Sequence, residues 1–372
     1  MRKHILSIIY FTIFSTVALA QAQHIKSVQL RSFQENNFSS IVPLGTTLEL
    51  SFDDLDADQK EYSYKIEHMT FDWKPSAIFS NQYIVGFNQN TIQNYENSFN
   101  TLQDYTHYKV QIPNSNTKIT KSGNYIISVL DEDETVIFKR RFTLYESKVV
   151  VGVSVLRSRD TKTNNQQQTV QFSINHPTLN INNPTQEINV AVLQNNNWQT
   201  AITDLKPQFF RNNQLLYKYT RKSNFWGGNE FLNFDNKTIE NSSLHIARVD
   251  KKDIYEAHLY WNQSRKNIPY TYNPDINGQF IIRTLNGNNS STEADYARIY
   301  FTLENERLIN KEVYVYGAFN DFKLNEENKM AYNSKNNTYS SNFLLKQGFY
   351  NYAYITKDNN ETINLHDISG SF

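Results

Sequence analysis

Almost every stretch of this chain that carries apolar residues carries them at alternate positions. Tyr62, Tyr64 and Ile66 alternate with Ser63 and Lys65, and Tyr125, Ile127 and Val129 follow the turn pair Ser122-Gly123. The same spacing recurs in Phe138, Phe142 and Leu144, in Val170, Phe172 and Ile174, in Ile188, Val190 and Val192, and in Ala297, Ile299, Phe301 and Leu303. A period of two places these side chains on one face of an extended strand and leaves the other face to water. No segment keeps a helical period for three turns. Short strands punctuated by Asn, Gly and Asp predict an all-β protein of tandem immunoglobulin-like β-sandwich domains.

Cysteine is absent, so no disulfide stabilises these sandwiches and their cores must. The 24 Tyr and 24 Phe supply the material. Net charge is zero, which gives no overall basic field for nucleic acid. The N-terminus reads as a secretory leader: Arg2 and Lys3, an apolar run from Ile5 to Leu19, then small residues at Ala18, Ala20 and Ala22. The run is about 15 residues, shorter than the roughly 20 that span a bilayer. Cleavage is expected after Ala20 or Ala22, with no direct membrane span in the mature chain.

The polar joint Tyr145-Glu146-Ser147-Lys148 and the charged turn Asp250 to Asp253 suggest boundaries. The expected division is a leader over 1–22 and sandwiches over 23–147, 148–253 and 254–372, each of ordinary domain size.

Chemistry is sparse. Asp54-x-Asp56-x-Asp58 starts like a calcium loop, but Gln59 replaces the turn glycine and Lys65 stands where the bidentate Glu belongs, so a solvated turn is expected. Asp131 to Glu134 reads as a hairpin tip. The eight histidines show no zinc spacing, whether His68 near Asp72 or His245, Asp250, Asp253 and His258. No nucleophile elbow, phosphate loop or dinucleotide fingerprint occurs. The chain is therefore expected to be no enzyme, with no metal, cofactor or small-molecule substrate.

Two motifs stand out. Phe225-Trp226-Gly227-Gly228-Asn229-Glu230-Phe231 sets paired glycines beside an aromatic, which permits a close backbone approach. Val313 to Phe322, with Met330 and Gly348-Phe349-Tyr350-Asn351-Tyr352, resembles the early-set immunoglobulin-like domains related to glycogen-binding modules. Those domains usually carry an exposed, sugar-stacking Trp at the position of Phe322. The resemblance implies an alternative function, a periplasmic glycan-binding protein using this last domain.

Several strings taken together are similar to the type IX secretion system plug protein family of Bacteroidetes. They are Ser51-Phe52-Asp53-Asp54-Leu55, His68-Met69-Thr70-Phe71-Asp72-Trp73-Lys74-Pro75-Ser76, Tyr105-Thr106-His107-Tyr108, Pro113-Asn114, Ser122-Gly123-Asn124-Tyr125, Arg140-Arg141-Phe142, and Gln194-Asn195 with Trp198. Gly227-Gly228-Asn229-Glu230-Phe231 with Phe234-Asp235, and Ala294-Asp295-Tyr296, complete the set. Met69 departs from a frequent Cys, and Leu232 from a frequent Arg. The family usually continues beyond the position of Phe372 into a further strand, so the last sandwich is expected to be short of an edge strand.

The resemblance implies a periplasmic subunit, a monomer within a hetero-complex, that reversibly caps the giant outer-membrane translocon barrel when no cargo is in transit. Aromatics are enriched at interface cores. On that ground Trp73 and the turn Trp226, Gly227, Gly228 and Asn229 are the candidate contacts with the barrel.

Overall fold

The computed structural model describes residues 24–34 and 37–371. Ala20, Ala22 and the rest of the expected leader lie outside the described residues. The described residues divide into two compact units, one running up to Glu146 with Ser291–Glu293, the other Ser147–Ser290 with the residues from Ala294 on.

Unit 1 is a β-sandwich of eleven strands: β1 (Ile25–Ser32), β2 (Ile41–Pro43), β3 (Leu48–Asp54), β4 (Ser63–Met69), β5 (Ile84–Gly86), β6 (Gln89–Thr91), β7 (Asn94–Asn97), β8 (Thr106–Ile112), β9 (Thr117–Ile119), β10 (Gly123–Leu130) and β11 (Val136–Tyr145). One sheet has the order β1-β3-β8-β7, the facing one β2-β11-β10-β4-β6, and β5 pairs with β9. The alternation read from sequence sets the core: Tyr62, Tyr64, Ile66, Tyr125, Ile127 and Val129 are buried together with Phe52, Tyr108 and Phe142. Phe52 and Tyr108 stack with centroids 5.1 Å apart, and Tyr125 and Phe142 at 5.3 Å. Such offset pairs add to area burial. Asp131 to Glu134 forms the tip between β10 and β11, where Asp131 N–H donates to Thr135 O at 3.0 Å.

Unit 2 begins with β12 (Val150–Arg157), β13 (Gln167–Asn175), β14 (Val192–Gln194), β15 (Asn197–Ile202), β16 (Phe209–Arg211), β17 (Gln214–Tyr217) and β18 (Asn224–Trp226). Their main sheet runs β12-β13-β17-β16, with β18 also on β13. Its core is small: Phe172, Leu205, Leu215 and Tyr217 are buried, with Val170, Ile174, Ile188, Val190 and Val192 packed against them. Ile188 and Val190 use their apolar face as the alternation predicts, yet residues 188–191 are not strand. Extended backbone becomes a strand only when a neighbour completes its ladder.

The remaining strands are β19 (Leu232–Asp235), β20 (Ile246–Lys251), β21 (Tyr255–Leu259), β22 (Asn262–Gln263), β23 (Phe280–Ile282), β24 (Tyr296–Glu304), β25 (Lys311–Tyr316), β26 (Ala331–Asn333), β27 (Thr338–Lys346), β28 (Gly348–Asp358) and β29 (Ile363–Asn364). One sheet is built around β28, which bonds β19, β23, β25 and β29; the other runs β20-β21-β24-β27-β26. Ala297, Ile299, Phe301 and Leu303 are fully buried between them. The charged turn at Asp250 to Asp253 lies inside the β20–β21 hairpin, and β19 and β20, which the sequence reading groups with the middle sandwich, belong to these later sheets. A charged turn marks a reversal of the chain, and a hairpin tip satisfies that description as well as a linker does.

Helices among the described residues span at most four residues (such as Pro184–Glu187 and His366–Ser369), and none is long and apolar enough to cross a membrane.

Candidate partner interface

The segment between β4 and β6, residues 70–88, combines a fixed backbone with exposed apolar side chains. It is anchored at its base by His68. Ser76 N–H donates to His68 O at 3.1 Å, and the His68 ring nitrogen lies 2.8 Å from Ser76 Oγ. Burial lowers the His68 pKa from its ordinary 6.5, so the neutral ring is favoured between Tyr83 and Tyr125. A tight turn follows. Thr70 N–H donates to Lys74 O at 2.8 Å, Lys74 N–H to Thr70 Oγ1 at 3.2 Å, and Trp73 takes a left-handed φ of 61°. Lys74 lies 2.7 Å from Asp72, and hydrogen bonds from Lys74 and Thr70 hold the Asp72 carboxyl below its usual range.

Trp73 is half-buried beneath the Arg141 guanidinium, 4.8 Å from the ring centroid, so part of its face is already used. Beyond it, Phe71 is 54% exposed, Phe79 76%, Val85 64% and Phe87 70%. Their backbones are held. Gln82 N–H donates to Phe79 O at 2.9 Å, Phe87 N–H to Asn116 O at 2.9 Å, and Thr117 Oγ1 to Phe87 O at 2.8 Å. Gly86, at φ 97°, lets this chain pass Asn116; a Cβ there would stand 2.1 Å from the Asn116 carbonyl oxygen. Large apolar side chains kept in water on an ordered backbone lose little conformational entropy when covered, a property that suits binding. Sequence reasoning picked out Trp73 but passed over Phe79, Val85 and Phe87, because alternation alone does not say which strand ends lack a covering layer.

The second sequence candidate is tied into unit 2. Trp226 Nε1 donates to Ile363 O at 3.0 Å, Gly227 N–H to Gln166 O at 2.8 Å, and Asn229 Nδ2 to Ser369 O at 2.8 Å. Gly228 bridges to Ser371, and a Cβ on it would lie 2.4 Å from a Leu365 methyl. Gly228 thus brings the chain against its own residues 363–371, while Gly227 packs on Gln166 and Gln168. Unit 2 also exposes Tyr260, Trp261 and Tyr272, which no sequence motif marked.

The acidic run holds a cation of its own. Lys60 Nζ sits 3.0 Å from buried Asp54, against Asp56, and 3.3 Å from Asp58. Tyr62 OH donates to the same Asp54 at 2.9 Å. Around Asp250, Glu256 and His258, Arg248 bonds Asp250 at 3.0 Å and Lys252 bonds Glu256 at 2.7 Å. Each of the two acidic groups has basic side chains bound to its carboxylates. In the last sandwich Phe322 is buried beside Tyr316, 5.1 Å between centroids, and offers no open face for a sugar.

These features define a tandem β-sandwich protein whose first unit displays exposed apolar side chains on a hydrogen-bonded segment. Residues 25–146, nearly the whole of that unit, match the family model described as the type 9 secretion system plug protein 1st domain. A solved structure described as a hypothetical protein from Parabacteroides merdae ATCC 43184 is similar over 94% of this chain and 90% of that one, at 31% identity and a TM-score of 0.90. No curated protein matches the chain. The chain belongs to the type 9 secretion system plug protein family.

Proposed function

We propose that this protein is a non-catalytic, periplasmic plug subunit that reversibly caps the outer-membrane barrel of the type 9 secretion system. The observation that carries the reading is the coincidence of the family match with the unit that presents Phe71, Phe79, Val85 and Phe87 on a fixed backbone. A barrel wide enough to pass proteins has a water-filled lumen and leaks when idle. A stopper for it must be a folded body, and its contact must release. A few exposed apolar side chains suit a releasable contact better than a large obligate interface.

Affinity purification of the tagged chain from its own outer membrane tests this. The barrel co-elutes with the wild-type chain. Phe79→Ser with Phe87→Ser lowers recovery about tenfold or more, since buried interface aromatics commonly contribute over 1 kcal/mol each. The melting temperature stays unchanged because both side chains already face water. Purification of a folded wild-type chain without the barrel overturns the reading.

A further inference from the structure

The strand β12 is exposed along its whole length. Val150, Val151, Val153 and Val155 are at least half exposed and Leu156 is 42% exposed. Among the described residues β13 is its one ladder partner, so β12 is a sheet edge. Edges are ordinarily blunted by charge or by shortness. The opposite edge of this sheet, β16, has three residues and ends on Arg211. β12 has eight and ends on Arg157, but from Val149 to Leu156 the chain carries no charge and no Pro, and five of those eight residues are valine.

The ladder phase says which backbone groups are open. Ser158 N–H donates to Gln167 O at 3.1 Å, so the bonded pairs to β13 fall on the even residues of β12. On the far side of β13, Val170 N–H donates to Ser223 O and His176 N–H to Asn213 O, which confirms that the even residues of β13 bond away from β12. The N–H and C=O groups of Val151, Val153 and Val155 therefore point to the open edge. Their side chains lie opposite Ile174, Phe172 and Val170, on the face that covers the small core.

We propose that this edge pairs with a second copy of the chain, antiparallel, about a two-fold axis through Val153. That register sets Val153 against Val153 of the second copy, Val151 against Val155, Gly152 against Ser154, and Val150 against Leu156. Each outward N–H and C=O meets its counterpart, giving three bonded pairs and roughly six hydrogen bonds. The valines on the core side extend one apolar face across both copies, and no charge faces an uncharged strand. A two-fold contact needs a patch complementary to itself, and this sequence is so about its centre. The contact does not rest on the plug reading, and its size, one strand per copy, places it at the weak end of specific interfaces.

Sedimentation equilibrium and cysteine cross-linking on the purified chain test it. The wild-type mass rises from one chain toward two over about 1–100 μM, as a small interface requires, and Val153→Lys stays monomeric with the same melting temperature. The chain has no cysteine, so single introduced ones report register directly. Val153→Cys places its Cα about 5.5 Å from its counterpart, within disulfide reach, and oxidises to a covalent dimer. Leu156→Cys lies six residues out of register, about 20 Å from its own counterpart, and does not. A wild-type mass constant at one chain, or equal cross-linking at the two positions, overturns the proposal.

Discussion

Lys60 binds the carboxylates of the acidic loop after β3. Burial disfavours its charge, but hydrogen bonds from its ammonium to Asp56 and Asp54 outweigh that and raise its pKa. A raised lysine contributes stability throughout neutral pH and loses it only as pH climbs through the folded value, above the ordinary 10.5. Removing it leaves Asp54, fully buried, beside Asp56 and Asp58 with no ammonium. Lys60→Met is expected to cost about 2–3 kcal/mol in urea unfolding at pH 7, below the full range for buried pairs because Lys60 is part-exposed. The Asp56 carboxyl is held below 3.8, first by its hydrogen bond from Lys60, so its contribution is present above 3.8 and lost as pH falls through the lower folded value. The gap between wild type and Lys60→Met should therefore narrow below about pH 4. At Gly86 the backbone conformation and the Asn116 carbonyl leave no room for a side chain. Gly86→Ala should lower the stability of unit 1 by about 1–3 kcal/mol, seen as a lower melting temperature.

Among elements, residues 363–371 illustrate how a short segment is latched. The carboxyl of Asp367 resists ionisation through burial, but hydrogen bonds from Lys311, at 2.5 Å, and Thr356, at 2.7 Å, outweigh this and lower its pKa. Trp226, Asn229 and the closely packed Gly228 grip the same segment from β18 and the turn beyond it. Asp367→Ala should release the latch and speed amide hydrogen exchange across 363–371 by at least tenfold, while β10 and β11 of unit 1 keep wild-type protection. Equal exchange in both proteins would show that the glycine turn alone holds the segment. The valine edge β12 is the counterexample at this scale, a strand whose open side nothing among the described residues covers.

For the whole molecule, unit 1 closes its own core, from Ile25 to Leu144, and the family match ends with it at residue 146. Residues 24–146 expressed alone should therefore unfold in one cooperative transition. A broad, non-cooperative melt of that fragment would mean the unit depends on the rest of the chain.

The sequence by itself determined the class of fold and the members of the cores. Alternation is local, and Tyr64, Ile127 or Phe301 had one buried face whichever neighbour supplied the other layer. It also exposed the resemblance in the His68 to Ser76 and Tyr105 to Tyr108 strings. The tertiary structure alone decided what each surface faces. Trp226 and Gly228 were marked as contact candidates and meet the chain's own residues 363–371, and Asp54, expected in a solvated turn, is buried with Lys60 folded against it. Nothing in the local pattern singled out Phe79, Phe87 or the valines of β12, which the structure leaves exposed. Which residue becomes a neighbour depends on strand order, and strand order is fixed by contacts far apart in the chain that no local pattern records.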